Sequence, residues 1–381
     1  MPPVVIRLSD TEDLRDVVHR TVEALSAGKV VAIPTETVYG LAASAFQPEA
    51  VKRVFAIKGR PANAPLAIAV KSLEDAIDFV PDMSPVARRI ARRSWPGPIT
   101  IVHDVDHPDS VVHRLDESVR AATIPSGTIG LRVPATDLAQ QILRLCAGPV
   151  VLTSANISGA EDPKTAQDVV EQLGDQVDLI LDGGPCKFGK ASTVVHVIGK
   201  QIKVLREGSV NLDSVNRMSN FVGLVVCTGN TCRSPMAEAI FKKLVAEKVG
   251  CDPDDLIENG IQIASAGIAA MTGSPAADQA TQVMSEQGLE IGDHASQPIS
   301  ERTAQVADLI LTMTNGHRQA LISHWPMLEP RTKTLRADGG DISDPIGSPV
   351  EVYQACADQI EQGLKHWVDQ VDWSQFGGRS L

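Results

Sequence analysis

The stretch L-V-V-C-T-G-N-T-C-R-S-P-M-A-E (residues 224–238) decides how the second half of this 381-residue chain folds and where its chemistry sits. Residues 221–226 form a short apolar, β-branched run suited to a buried strand. From Pro235 onward, Ala237, Ile240, Phe241, Leu244 and Val245 recur at helical spacing, with proline tolerated in the first turn. A loop of Cys227, five residues, Arg233 and Ser234 therefore joins a strand to a helix N-terminus. Such a loop turns successive backbone N–H groups inward, and the helix dipole adds to their positive field, making an anion cradle. Gly229 is expected to supply the unusual backbone angles. The field favours the nucleophilic thiolate of Cys227. Arg233 offers a planar fork that grips two phosphoryl oxygens, which lysine cannot do, and Ser234 can donate to the sulfur.

Beyond the loop, strands at 261–264, 307–312 and 332–335 alternate with helices at 276–287, 317–322 and 350–368. That alternation predicts an α/β fold with a four-stranded parallel sheet flanked by helices. The loop would sit at its first strand end, where such folds bind ligands. Cleaving a phosphoester or phosphoramidate through cysteine also requires an acid for the leaving group and then a base for water. D-I-S-D-P-I-G (341–347), just before the last helix, offers Asp344 and Asp341.

The C-x5-R-S pattern followed by P-M-A-E resembles the low-molecular-weight protein tyrosine phosphatase family. The resemblance implies Cys227 as nucleophile, Arg233 as phosphate-binding group, Ser234 as the adjacent hydroxyl and, from the family's late D-P loop, Asp344 as general acid with Asp341 its rival. It implies no cofactor for this half, and a phosphoprotein substrate. Tyrosine-directed members carry ring-stacking aromatics after the D-P; here Ile346 and Gly347 follow, and aromatics make up only 3% of the chain. C-T-G-N-T-C-R-S is similar to the loop of the family's bacterial protein-arginine phosphatases. Their threonine, here Thr231, favours phosphoarginine over phosphotyrosine. Arsenate reductases share this loop but relay electrons through two further nearby cysteines, whereas Cys251 and Cys356 are expected to lie far from each other and from the site; that reading ranks third.

Composition bounds the rest. A chain of 381 residues exceeds one ordinary core, so two domains are expected. Hydrophobic residues at 43% and charged at 22% mark a soluble globular protein. The net charge of −12 is uneven: residues 1–210 carry 23 basic and 25 acidic side chains, residues 211–381 carry 12 and 22. Neither half is basic enough to advertise a nucleic-acid surface, and R-R-I-A-R-R (88–93) reads as a solvated helix face. No apolar run approaches the roughly 20 residues of a membrane span, and no signal core opens the chain, so no membrane contact and a cytoplasmic location are expected. The six cysteines show neither a C-x-x-C pair nor zinc spacing, so no metal site and no disulfide framework are expected. Cys146 reads as core. Cys232 reads either as loop packing or as a partner for Cys227 under oxidation.

In the first half, strands are expected at 4–8, 30–33, 66–70, 99–102, 129–133, 150–153, 179–181, 193–197 and 202–205. Helices are expected from Ser9 or Asp10 to Gly28, at 48–57, in two stretches before Trp95, at 137–146 and at 166–173. Strands outnumber helices, which predicts a mixed, twisted sheet with helices packed on it. Lys58, Arg60, Arg132 and Arg206 are cations that could converge on a triphosphate. Thr35, Thr37, Thr128, Ser154, Asn156 and Ser192 supply groups that orient a small polar substrate.

P-T-E-T-V-Y-G-L (34–41), K-G-R-P (58–61), W-P-G-P-I-T (95–100), L-R-V-P (131–134) and S-A-N-I-S-G (154–159) resemble, in that order, the YrdC-type threonylcarbamoyl-AMP synthase family over residues 20–210. The resemblance implies condensation of L-threonine, bicarbonate and ATP, taken with Mg2+, to threonylcarbamoyl-AMP and pyrophosphate. That is the first step toward N6-threonylcarbamoyladenosine in tRNA, so the partners are the downstream tRNA-modification machinery, with direct tRNA contact left open. Thr35, Arg132, Ser154 and Ser192 would contact threonine; Lys58, Arg60, Thr128, Asn156 and Arg206 would contact ATP. Two departures are visible. A-P-L-A-I-A (64–69) stands where longer members often read N-P-L-I-V-H, and His196 stands where an aspartate is common. A non-catalytic nucleotide- or RNA-binding module, motivated by Ala64 and Ala69, is the other reading. The expected domains are 1–210 and 220–373, with a polar linker at 211–219 and a tail at 374–381.

Overall fold

Short β-branched and alanine-rich runs pair into a ten-stranded mixed sheet in the first compact unit, Met1–Met218. The computed structural model describes residues 3–60 and 64–376, so Pro61 of the K-G-R-P turn and residues 377–381 of the expected tail lie outside the described residues. The strands are β1 (Val4–Arg7), β2 (Val31–Ile33), β3 (Gly40–Ser44), β4 (Ala67–Ala69), β5 (Ile99–Asp104), β6 (Thr128–Arg132), β7 (Val150–Ser154), β8 (Leu179–Asp182), β9 (Thr193–Ile198) and β10 (Gln201–Arg206). Their order across the sheet is β1-β8-β2-β3-β7-β4-β6-β5-β9-β10, so β3 to β9 bring segments distant in sequence side by side. Parallel pairs (β4 with β6, β5 with β9) and antiparallel pairs (β3 with β7, β5 with β6) occur together, which makes the sheet mixed.

Side-chain caps start most of its helices. Thr136 accepts from Ala139 N–H, and Thr165 and Asp168 form a reciprocal capping box. The first helix runs Leu14–Ser26, not from Ser9 or Asp10, because those two sit in a 3-10 turn (Leu8–Asp10) and the Asp13 carboxylate caps Arg15 N–H instead. Gly28, at φ 76°, ends that region as expected. Strand β3 and the helix Glu117–Thr123 were not anticipated, since alanine and glycine in β3 carry no strand signal. Residues 211–219, read as a linker for their polarity, contain the helix Leu212–Ser219, whose Val215 is fully buried in the first unit's core.

The second unit, Ser219–Leu381, has a four-stranded sheet: β11 (Phe221–Cys227), β12 (Ile261–Gly267), β13 (Leu309–Thr312) and β14 (Thr332–Thr334). All its pairs are parallel, in the order β12-β11-β13-β14. Alternation along β11 sends Val225 and Cys227 to one apolar layer and Leu224 and Val226 to the other, so the central strand is buried on both faces. Trp373 and Phe376 pack edge-on against Phe221. The unit therefore extends to Phe376, past the expected boundary at 373.

Candidate active sites

Strand β11 ends at Cys227 and the helix Arg233–Val249 begins six residues later, so the intervening loop must close tightly. It wraps around the sulfur. Asn230 N–H donates to Cys227 Sγ at 3.2 Å, and Ser234 Oγ lies 2.9 Å from the same sulfur. The left-handed turn falls at Asn230 (φ 57°), not at Gly229, a role asparagine tolerates better than other residues with a Cβ. Asn230 is fully buried. Its Nδ2 donates to Ser234 Oγ and to Ser265 Oγ, both at 2.9 Å, while its Oδ1 accepts from Gln297 N–H at 2.8 Å. His294 Nε2 lies 2.7 Å from the Asn230 carbonyl. Asn230, Ser265 and His294 were missed from sequence. Asparagine in a tight loop was a usable signal; the other two arrive from distant segments and had none.

Arg233, almost fully buried, donates through Nη1 to Ile342 O at 3.0 Å and through Nη2 to Asp344. Asp341, the rival acid, instead accepts from Asn315 N–H at 2.7 Å at the start of the helix Asn315–His324. The structure thus brings Cys227, Arg233, Ser234 and Asp344 together and turns Asp341 to a capping task. Thr231 anchors the loop by accepting Ala277 N–H at its carbonyl, 2.8 Å away. Ile346, 69% exposed, follows the Asp344 turn. Cys232 is buried with its sulfur 3.5 Å from Tyr353 Oη. Cys356, expected to lie remote, is beside the same turn: its sulfur is 3.7 Å from Ser343 O, and burial pushes the thiol up to about 12.

In the first unit, one face of the sheet carries a cavity of about 310 Å³. Small residues on β3, β4 and β6, Gly40, Ala67, Ala69 and Gly130, leave the space, and Thr35, Arg60, Thr128, Arg132, Ser154, Ser192 and Arg206 surround it. Seven of the nine residues expected to bind substrate therefore meet at one place. Lys58 and Asn156 are not in the lining; they form its support. Lys58 Nζ donates to Ser154 O (2.5 Å), Asn156 O (2.8 Å) and Asn156 Oδ1 (3.0 Å). Arg206 Nη2 grips Ser192 O at 2.8 Å, and Ser192 Oγ lies 2.9 Å from Thr100 Oγ1. Arg60 Nη1 donates to Thr153 Oγ1 at 3.0 Å.

Glu36, also missed, lies within P-T-E-T-V-Y-G-L. Its carboxylate holds Arg132 Nη2 at 2.6 Å and Ala135 N–H at 2.8 Å, and Arg132 Nη2 also reaches Thr37 Oγ1 at 2.9 Å. Ala69 lines the cavity, so that departure does fall in the site. His196 does not line it; it pairs with Asp104 at 3.1 Å.

Cations outnumber anions around the cavity, with Asp162 the opposing charge. Burial, then the charges of Arg60 and Arg206, pull the Lys58 ammonium down to about 8, against the pull of Asp162. Arg60 and Arg206 are lowered too, first by burial and, for Arg60, by Arg206. Cations that each disfavour the next form a field that an anion would relieve.

A family model described as "Telomere recombination" (Sua5, YciO and YrdC proteins) matches residues 23–208, and one described as "Low molecular weight phosphotyrosine protein phosphatase" matches residues 223–375. A Mycobacterium tuberculosis H37Rv relative named for threonylcarbamoyl-AMP synthase is 35% identical over 214 residues, covering 55% of this chain and 94% of its own. The protein-arginine-phosphatase of Geobacillus stearothermophilus is 35% identical over 160 residues, covering 40% of this chain and 97% of its own. The chain belongs to both families. The threonylcarbamoyl-AMP synthase of Pyrococcus abyssi is 36% identical over 191 residues, 50% of this chain, and the chain spans only about half (54%) of that longer relative. A crystal structure of P. abyssi Sua5 complexed with L-threonine matches with TM-score 0.50 and 25% identity, over 69% of this chain and 92% of that one. The first unit is a Sua5/YrdC-type synthase domain and the second a low-molecular-weight phosphatase domain. Among the described residues no helix is long and apolar enough to cross a membrane.

Proposed function

We propose that this chain carries two working catalysts. The synthase domain would condense L-threonine, bicarbonate and Mg-ATP to threonylcarbamoyl-AMP and pyrophosphate, supplying tRNA threonylcarbamoylation. The observation that carries this reading is the convergence of Thr35, Arg60, Arg132, Ser154, Ser192 and Arg206 on one cavity. The field of Arg60, Arg206 and Lys58 suits the phosphates, and Arg132, oriented by Glu36 and Thr37, suits the threonine carboxylate. A relative's structure with L-threonine supports the amino-acid substrate. Pyrophosphate release by the full chain from ATP, dependent on both threonine and bicarbonate, tests it; nucleotide binding without release would leave a binding module. Location in the cytoplasm fits the six free cysteines among the described residues.

The phosphatase domain would remove phosphate from protein, with phosphoarginine as substrate. Cys227 attacks phosphorus, forming the S–P bond as the P–N bond breaks, and Asp344 gives its proton to the departing guanidine nitrogen. Arg233 and the loop N–H groups hold the equatorial oxygens. Water then attacks phosphorus, giving its proton to Asp344 as the S–P bond breaks and the thiolate, held by Ser234 and Asn230, leaves. The carrying observation is a sulfur ringed by Ser234 Oγ and Asn230 N–H beside the Arg233 fork. Thr231 and the absence of an aromatic after Pro345 favour phosphoarginine. Comparing kcat/KM on matched phosphoarginine and phosphotyrosine peptides tests the choice.

A further inference from the structure

The phosphate loop is braced from below by a side chain that the mechanism does not use. His317, almost fully buried in the helix Asn315–His324, lies with Nε2 2.9 Å from Thr228 Oγ1 and Nδ1 3.0 Å from Thr314 Oγ1. Thr314 is that helix's N-cap and also accepts His317 N–H at 3.1 Å, so the ring is fixed at one end by a helix terminus and at the other by the residue that follows the nucleophile. Thr228 in turn carries load. Its carbonyl accepts Ala269 N–H at 3.0 Å and that of Cys227 accepts Ile268 N–H at 3.0 Å, hanging the loop after β12 on the same two residues. A Cβ on Gly267 would meet the Thr228 carbonyl at 2.5 Å, so the approach is close.

We propose that His317 is a positioning residue of the phosphatase: through Thr228 it fixes the first turn of the phosphate loop, so that the loop's N–H groups are aimed before the substrate arrives. This rests on the phosphatase reading of the second domain. A neutral imidazole passes one hydrogen along the chain from Thr314 to Thr228, or back, without adding charge. Burial first, and then Arg233, holds its pKa below the ordinary value, while Asp344 and Asp341 pull the other way. A loop aimed in advance favours the transition state over the bound substrate, so its loosening falls on kcat more than on KM.

The test uses the full chain with His317→Ala, His317→Gln, His317→Asn and Thr228→Val, measuring turnover of 4-nitrophenyl phosphate and, by calorimetry, affinity for inorganic phosphate. A glutamine amide reaches where Nε2 was, toward Thr228; an asparagine amide reaches only where Nδ1 was, toward Thr314. We expect kcat to fall about tenfold in His317→Ala with KM within about twofold, His317→Gln to recover to within about threefold, and His317→Asn not to recover. Thr228→Val should match His317→Ala, and the double variant should be no worse than either. Rescue by asparagine as good as by glutamine, or an unchanged kcat in His317→Ala, overturns the proposal. A wild-type chain with no turnover, but with phosphate affinity that follows the same Gln-over-Asn order, would keep His317's role and sink the phosphatase reading alone.

Discussion

Cys227 and Ser234 touch across seven residues of chain, whereas Arg132 reaches Glu36 across 96 and Lys58 reaches Asn156 across 98. The phosphatase site is essentially one loop completed by Asp344; the synthase site is a floor tiled from seven strands and their ends. A loop that closes on itself needs only local geometry, so most of its ligand-binding groups survive as a contiguous word in the sequence. A tiled floor depends on sheet order, and any error of register scatters it. The two sites should therefore fail differently when single residues are changed.

The largest expected effect is in the loop. Cys227→Ser should lose roughly ten-thousandfold or more in phosphatase turnover, because a hydroxyl is far less ionised than a thiol, with no change in melting temperature. Arg233→Lys should lose on the order of a hundredfold or more, since a point charge cannot replace the fork that reaches both Ile342 O and Asp344. Turnover near the wild-type rate in either variant would break the claim that this site is concentrated in one loop. The synthase activity of both should be untouched.

The dispersed site should lose less at each position. Arg60→Ala removes one charge-assisted contact to the nucleotide, about 2 to 3 kcal/mol or up to roughly a hundredfold in ATP affinity, with threonine affinity nearly unchanged. Separate titrations of the two substrates check it. Equal losses for both would mean that Arg60 shapes the cavity and does not serve ATP specifically.

The same contrast explains what could be read before any coordinates. The strand, loop and helix at 221–249, and the identities of Cys227, Arg233, Ser234 and Asp344, followed from local spacing and one family pattern. Asn230 was legible in part, as a residue tolerant of positive φ. Ser265, His294 and His317 were not, because they are brought to the loop by strand pairing, by an irregular segment and by a helix, none of which a short motif encodes. In the synthase domain the residue list came from family resemblance, and the cavity collects most of it. Glu36 escaped notice because an acid amid groups meant for anions looks misplaced until Arg132 is seen to need a partner. Lys58 was read as an ATP contact; what sequence could not show is that its ammonium also holds Ser154 O, Asn156 O and Asn156 Oδ1. The helix at 212–219 was hidden by polarity, since Val215 is its one fully buried apolar residue and the other fully buried residue, Ser219, is polar.

Substrate choice gives a smaller effect, and one that sharpens the comparison, because it depends on a single wall of the loop. Thr231→Ile exchanges a polar side chain for a larger aliphatic one near the bound phosphoryl group. It should shift the ratio of kcat/KM for phosphoarginine over phosphotyrosine peptides by about 2 kcal/mol, roughly thirtyfold, toward phosphotyrosine. A ratio that does not move would assign selectivity elsewhere, with exposed Ile346 the next residue to change.

The smallest effect concerns pH and belongs to the tiled site alone. Lys58 titrates at about 8 in the folded domain against an ordinary 10.5. Below pH 8 both folded and unfolded chains hold its proton. Between about 8 and 10.5 the unfolded chain keeps it while the folded domain releases it, so this residue makes stability rise with pH across that window. Nucleotide binding runs the other way. A triphosphate beside Arg60 and Arg206 favours the ammonium, so ATP affinity should be level below pH 8 and then fall, by at most about tenfold per unit, until the bound complex itself loses the proton. Lys58→Met should bind ATP more weakly at pH 7 and show no slope between pH 8 and 9.5, measured by calorimetry at constant ionic strength. An equal slope in Lys58→Met would place the titrating group elsewhere and reduce Lys58 to a brace for Ser154 and Asn156.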